Sequence, residues 1–149
     1  MKLLIDADAC PVVDIALECA EKYNVDKCVL LCDTSHLIDR ECAETIVVSK
    51  GADSADFALV NLVEAGDVVV TQDYGLAAMC LAKKAHVLNQ NGLIFNEFNI
   101  DSLLAQRHIS KKIRMAGGRT KGPSKRTKEQ DNGFLASLNK IFSDIKNTL

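Results

Sequence analysis

Two aspartates separated by a single residue follow directly on a short apolar run: Lys2-Leu3-Leu4-Ile5 leads into Asp6-Ala7-Asp8-Ala9-Cys10-Pro11-Val12. The apolar run predicts a buried parallel strand, and Pro11 suits the first turn of a helix. Asp6 and Asp8 are therefore expected at a strand's carboxyl end, where ligands bind in open α/β sheets. Paired carboxylates there make half of a divalent-cation site.

Three more acids fall at equivalent places. In Lys50-Gly51-Ala52-Asp53-Ser54-Ala55-Asp56-Phe57, Asp53 suits a helix amino-terminal cap, and Asp56 the first turn, where the macrodipole favours a negative charge. Capping alone would account for both. Asp73 closes Val68-Val69-Val70-Thr71-Gln72-Asp73-Tyr74-Gly75, again where a strand gives way to a helix, and it too could be a cap. The balance shifts because Asp6, Asp8, Asp53, Asp56 and Asp73 all belong to loops leaving one edge of the expected sheet. Clustered carboxylates repel, and hard oxygen ligands suit Mg²⁺ or Mn²⁺. Such an ion polarises a phosphoryl oxygen and acidifies water, so the chemistry expected is phosphodiester hydrolysis. Thr71 and Ser54 could place hydroxyls near a phosphate or satisfy local backbone.

The elements that must position these residues alternate along the chain. After the first strand, residues 27–32, 45–48, 67–71 and 85–88 read as strands. Residues 12–23, 54–65 and 75–84 have helical spacing, followed by helices over about 95–115 and 132–146. Alternation of this kind predicts right-handed βαβ units and one α/β domain over residues 1–149. Its central, mostly parallel sheet should have about five strands, with helices on both faces. The length and the 48% hydrophobic content suit one sizeable core.

Charge is distributed unevenly. Residues 1–100 hold 7 Lys and Arg against 16 Asp and Glu, whereas residues 101–149 hold 11 against 4. Nine basic residues and no acidic one occur from Arg107 to Lys128, which is a polyanion-binding pattern unless the run is simply solvated. Gly117-Gly118, Gly122 and Pro123 make its centre, about residues 116–130, a loop. Arg119, Lys121, Lys125 and Arg126 are the residues expected to draw in a nucleic-acid backbone. Aromatic residues make up only 5% of the chain, so base stacking is expected to add little.

Cys10, Cys19, Cys28, Cys32, Cys42 and Cys80 lack metal-finger spacing; several lie in apolar runs and, with Cys10, read as reduced packing residues. His36, His86 and His108 form no recognisable cluster. With no apolar segment of membrane-spanning length and no leader pattern, the expectation is a cytoplasmic protein without a membrane partner.

The runs Asp6–Val12, Gly51–Asp56, Val69–Ala77 and Gly118-Arg119-Thr120-Lys121-Gly122-Pro123 together resemble the bacterial YaiI/YqxD family, which is grouped with PIN-like nuclease domains. That resemblance covers nearly the whole chain. It implies a three-layer PIN-like domain whose acids, at the sheet's carboxyl edge, hold Mg²⁺ or Mn²⁺ and cut RNA. Position by position it assigns Asp6 to the first strand, Asp53 and Asp56 to the helix start, and Asp73 to the fourth strand. Asp8 matches the YaiI/YqxD motif. PIN toxins carry one further acid, for which Asp33 and Asp67 are the candidates here.

Two other functions fit the same residues. A haloacid-dehalogenase-like phosphatase would use Asp6 as nucleophile and Asp8 as general acid, although Ala9-Cys10-Pro11 lacks the hydroxyl-bearing residue expected after that motif. A non-catalytic RNA-binding module would explain the charge asymmetry as well as a nuclease does.

Overall fold

Every second residue of Lys2–Asp6, the first strand β1, faces the same side of the sheet, yet Leu3, Leu4 and Ile5 are all fully buried. Both faces must therefore be covered, as parallel sheets require. The computed structural model describes residues 1–8, 10–35, 37–49, 54–115 and 125–148, and of residues 54–56 and 107–115 the backbone alone. The chain runs β1, α1 (Val13–Lys22), β2 (Lys27–Asp33), β3 (Glu44–Val48), α2 (Ser54–Leu62), β4 (Val68–Val70), α3 (Tyr74–Ala82), β5 (His86–Leu88), β6 (Ile94–Phe95), α4 (Glu97–Met115) and α5 (Lys128–Thr148).

Six strands form one sheet in the order β3-β2-β1-β4-β5-β6, parallel except for β6. The three-layer α/β expectation holds, with one strand more than the five expected. Phe95, expected to open a helix, instead returns with Ile94 antiparallel along β5, Phe95 opposite Val87. Helix α4 starts after them because Asn96 caps it, its Oδ1 accepting from the N–H groups of Phe98 and Asn99, both at 2.8 Å.

One face of the sheet presents Leu3, Ile5, Leu30, Val68 and Val70 to α1 and α5, including Phe134, Leu138 and Phe142. The other presents Leu4, Val29, Leu31 and Val69 to α2, α3 and α4, including Leu59, Leu76 and Ile100. Each such side chain, fully buried, contributes roughly 1.5–3 kcal/mol. Helix α5 begins four residues earlier than its apolar spacing predicts. Thr127 Oγ1 accepts from Gln130 N–H at 3.3 Å while Gln130 Oε1 accepts from Thr127 N–H at 2.9 Å, a capping box that starts the helix at Lys128. The expected loop over 116–130 thus ends inside α5, and residues 116–124 lie outside those described. Among the described residues no helix is long and apolar enough to cross a membrane.

Candidate functional site at the carboxyl edge of the sheet

The strand order places a reversal at β1. From β1 the chain proceeds to β2 and β3 on one side, then crosses to β4 and β5 on the other. Helices leave the carboxyl ends of β1 and β4 on opposite faces, the topology at which doubly wound sheets bind ligands. Asp6 ends β1 at this switch point, and Thr71 follows β4.

Register determines how they meet. Leu4 lies opposite Val69 and Ile5 opposite Val70, so Asp6 comes next to Thr71, with both side chains on the α2–α3 face by the two-residue alternation. Thr71 Oγ1 donates to Asp6 Oδ2 at 3.0 Å and accepts from the Asp73 backbone N–H at 3.0 Å. Asp73 in turn caps α3, its Oδ1 accepting from Leu76 N–H at 3.1 Å. One buried hydroxyl, 1% exposed, thereby ties the ends of β1 and β4 together. Burial lifts the Asp6 carboxyl above the usual carboxylate range; the Thr71 bond opposes the shift, and the nearby charges of Asp73 and Asp8 add to it.

Asp8 is exposed in the turn that Cys10 N–H closes on the Ala7 carbonyl at 3.2 Å. Asp56 lies in the first turn of α2, which follows β3 and runs back over the α2–α4 face; its side chain, like the whole of Asp53, lies outside the described residues. The described acids brought together are thus Asp6, Asp8 and Asp73. Among the described residues no three His, Cys, Asp or Glu side chains are grouped closely enough to hold a metal ion.

The two candidates for a further acid part company. Asp33 ends β2 at this same edge, its Oδ1 accepting from Ser35 N–H at 2.8 Å and Ser35 Oγ at 2.6 Å. Asp67 precedes β4 at the opposite edge, which removes it from the site. It is buried there because Lys2 N–H and Glu64 N–H donate to its oxygens at 2.9 and 2.8 Å, and Lys2 Nζ pairs with it at 3.0 Å.

The basic segment rejoins the described chain at this edge. Arg126 is engaged by the protein itself: Nε donates to Asp131 Oδ1 at 2.7 Å, Nη1 to Asn91 Oδ1 at 2.8 Å and Nη2 to the Gln90 carbonyl at 2.6 Å. Residues 89–93 form the turn beyond the carboxyl end of β5, pinned by Asn89 Oδ1, which accepts from Asn91 and Leu93 N–H, both at 2.9 Å. Gly92 sits at φ +90°, where a Cβ would lie 2.4 Å from the Gly133 carbonyl oxygen; only glycine admits this approach of α5. Arg126 thus ties the start of α5 to this turn, while Lys125 is exposed beside it. Arg119 and Lys121 lie outside the described residues. The arginine's charge reaches Cys10, whose thiol is nevertheless raised by burial and packs against the α1–α5 core. Sequence reasoning missed this anchorage, although Asn91-Gly92 between two apolar runs is a hairpin signal.

A family model described as "Uncharacterized BCR, YaiI/YqxD family" matches residues 4–144. A UPF0178 protein of Exiguobacterium sibiricum is 49% identical over 144 residues, spanning 97% of this chain and 98% of its own length. One of Ruminiclostridium cellulolyticum is 52% identical over 138 residues, 93% of this chain and 90% of its own. Another, of Natranaerobius thermophilus, is 48% identical over 149 residues, 99% and 100% of the two chains. No solved structure matches the chain.

Proposed function

We propose that this chain, which belongs to the YaiI/YqxD family, hydrolyses phosphodiester bonds in nucleic acid, RNA above all, at the acidic carboxyl edge of the sheet. The observation that carries this reading is the meeting of Asp6 and Asp73 through Thr71 at the point where the strand order reverses. Acids after the first and fourth strands of a mostly parallel sheet also support a place beside the PIN-like nucleases.

The donors fit a hard divalent cation in kind: they are carboxylate oxygens, and the neighbouring Cys10 thiol is held protonated by burial. Mg²⁺ or Mn²⁺ would be held by Asp6 and Asp73, with Asp8 and the α2-start acids Asp53 and Asp56 completing the set. When bound, such an ion supplies Lewis-acid polarisation of the phosphoryl oxygen and a more acidic water. Thr71 holds the Asp6 carboxylate in one orientation, leaving its second oxygen for the site. Asp73 does two things at once, capping α3 through Oδ1 and adding negative charge beside Asp6. Exposed Lys125, held at this edge by its neighbour Arg126, attracts the phosphate backbone, so binding weakens steeply with salt.

Cleavage of a labelled RNA with Mn²⁺ is the test. Activity lost in chelator and in Asp6→Asn supports the nuclease. A trapped aspartyl-phosphate on Asp6 would instead establish the phosphatase, and RNA binding that survives Asp73→Asn with no cleavage under any metal would establish a binding module.

A further inference from the structure

We infer that Cys28 and Cys42 are a reversible disulfide site, which a small-molecule disulfide such as oxidised glutathione closes into a clamp between β2 and the turn ahead of β3. The site is independent of the nuclease reading. Of the six cysteines Cys42 is the exposed one and Cys28 is half-buried; the two line one cleft of about 270 Å³ with Leu17, Ala20 and Val25. Register gives their spacing. Val29 lies opposite Glu44 in the parallel β2–β3 ladder, so one step toward the amino ends Cys28 falls opposite Ala43, and Cys42 stands one residue off that pairing. With strands about 4.8 Å apart and a rise of about 3.3 Å per residue, the Cα atoms of Cys28 and Cys42 are about 5.8 Å apart, within the roughly 5.5–6 Å commonest for disulfides. Straight alternation would send Cys42 to the face opposite Ala43. The chain turns there, Ala43 N–H donating to the Arg40 carbonyl at 3.1 Å, and Cys42 comes to the α1 face, where Cys28 and Ala43 pack.

The two thiols also lie within electrostatic reach of each other: burial raises Cys28 to about 11, and charge on Cys42 adds to the rise. Exchange therefore starts at exposed Cys42. Its thiolate attacks one sulfur of oxidised glutathione, forming a mixed disulfide and releasing one glutathione thiolate. Cys28 then gives its proton to solvent and attacks the Cys42 sulfur, and the second glutathione leaves. Two protein thiols are oxidised, one small disulfide is reduced to two thiols, and the protons pass between them through water. Reversal by attack on Cys42 must expel Cys28, and a thiol of high pKa leaves slowly, so the closed bond persists until a strong reductant is supplied. Cys32 is no rival for Cys42. It lies opposite Val47, five steps along the ladder and roughly 17 Å away.

The test treats the reduced full chain with oxidised glutathione, then blocks the remaining thiols in denaturant for mass spectrometry. The expected result is a fall from six free thiols to four. Trypsin should release residues 28–40 joined to residues 41–50, with fragmentation placing the bond on Cys28 and not on Cys32. The bond closes a ring of about 15 residues, so the oxidised chain should melt about 5–10 °C above the reduced one, and dithiothreitol should reverse both changes. Cys28→Ser should stop with one glutathione on residue 42, and Cys42→Ser should form no bond to Cys28. A wild-type chain that consumes no thiol, or that stops at a stable mixed disulfide on Cys42, overturns the proposal. So does a bond between the Cys42 residues of two chains, seen as a doubled mass on a non-reducing denaturing gel. A linked chain whose melting midpoint is unchanged overturns the clamp.

Discussion

Replacing Thr71 by valine keeps the shape of a side chain that is 1% exposed and deletes only the hydroxyl joining β1 to β4. Two hydrogen bonds are lost. The donation to the Asp6 carboxylate is charge-assisted and worth about 1.5–3 kcal/mol; the acceptance from Asp73 N–H is worth about 1 kcal/mol. Burying a methyl in place of the hydroxyl returns roughly 0.8 kcal/mol. The net cost is about 2–3 kcal/mol, or a fall of roughly 5–10 °C in midpoint for a chain of this size. Thr71→Ser retains the hydroxyl and loses one buried methyl, a cost of about 1 kcal/mol. Urea denaturation followed by circular dichroism in EDTA at pH 7 should therefore rank wild type above serine and serine above valine. If Thr71 were only a packing residue, valine would equal or exceed wild type and serine would be the least stable. That order would refute the hydroxyl's role as a tie. Acid adds a second check, because protonated Asp6 leaves a neutral bond and the valine penalty should shrink.

Three further outcomes follow from the same contacts. Asp73→Asn keeps a good helix cap but removes a charge beside Asp6, so carboxyl-carbon NMR titration should show the Asp6 pKa falling toward its ordinary value. Because a raised folded pKa contributes stability at low pH that is lost as pH rises through it, the decline of stability across that window should be smaller in Asp73→Asn. Arg126→Lys cannot reproduce three directed bonds to Asp131, Asn91 and Gln90; a loss of about 2–3 kcal/mol in urea melts is expected. Gly92→Ala combines a positive φ with a Cβ 2.4 Å from the Gly133 carbonyl, and should cost about 3 kcal/mol or more, read as the same melt or as loss of soluble protein.

The parts of the fold legible from residue order are those in which neighbours in sequence are neighbours in role. The β1 run announced a strand buried on both faces, and the acids after β1 and β4 fell on the carboxyl edge because parallel strands separated by helices leave that edge alike. The parts that escaped depend on partners far along the chain. A strand of two residues carries no periodicity, so β6 was marked only by Asn91-Gly92. The Thr127–Gln130 box follows a basic run with no apolar period before it, so only its two reciprocal bonds mark the start of α5. The bonds of Arg126 within the protein were not legible because its acceptors are mostly remote, Asn91 being 35 residues away. Asp67 already opened the expected strand at 67–71, at the edge opposite the other acids; what the sequence could not show was its pairing with Lys2, 65 residues away.

The two ends of the sheet each hold a carboxylate withdrawn from solvent, and the contrast between them bears on function. Asp67 is paired with the Lys2 ammonium at 3.0 Å and accepts two backbone N–H groups; its charge belongs to the fold. Asp6 has a neutral hydroxyl as its hydrogen-bond partner, and the charges acting on it are those of Asp73 and Asp8, of its own sign. Among the described residues the Asp67 edge thus supplies a counter-ion, whereas the charges acting on Asp6 are of its own sign, so neutralising the two carboxylates should have opposite effects. The consequence is a difference in sign. In metal-free protein at pH 7, Asp67→Asn leaves Lys2 without its buried partner and should cost about 2–4 kcal/mol, whereas Asp6→Asn relieves repulsion while still accepting from Thr71 and should gain about 0.5–2 kcal/mol. Mn²⁺ should raise the melting midpoint of wild type and of Asp67→Asn, and leave Asp6→Asn where it was. A loss of stability in metal-free Asp6→Asn as large as that in Asp67→Asn would mean that Asp6 also serves the fold, and the case for an external cation would lose its footing.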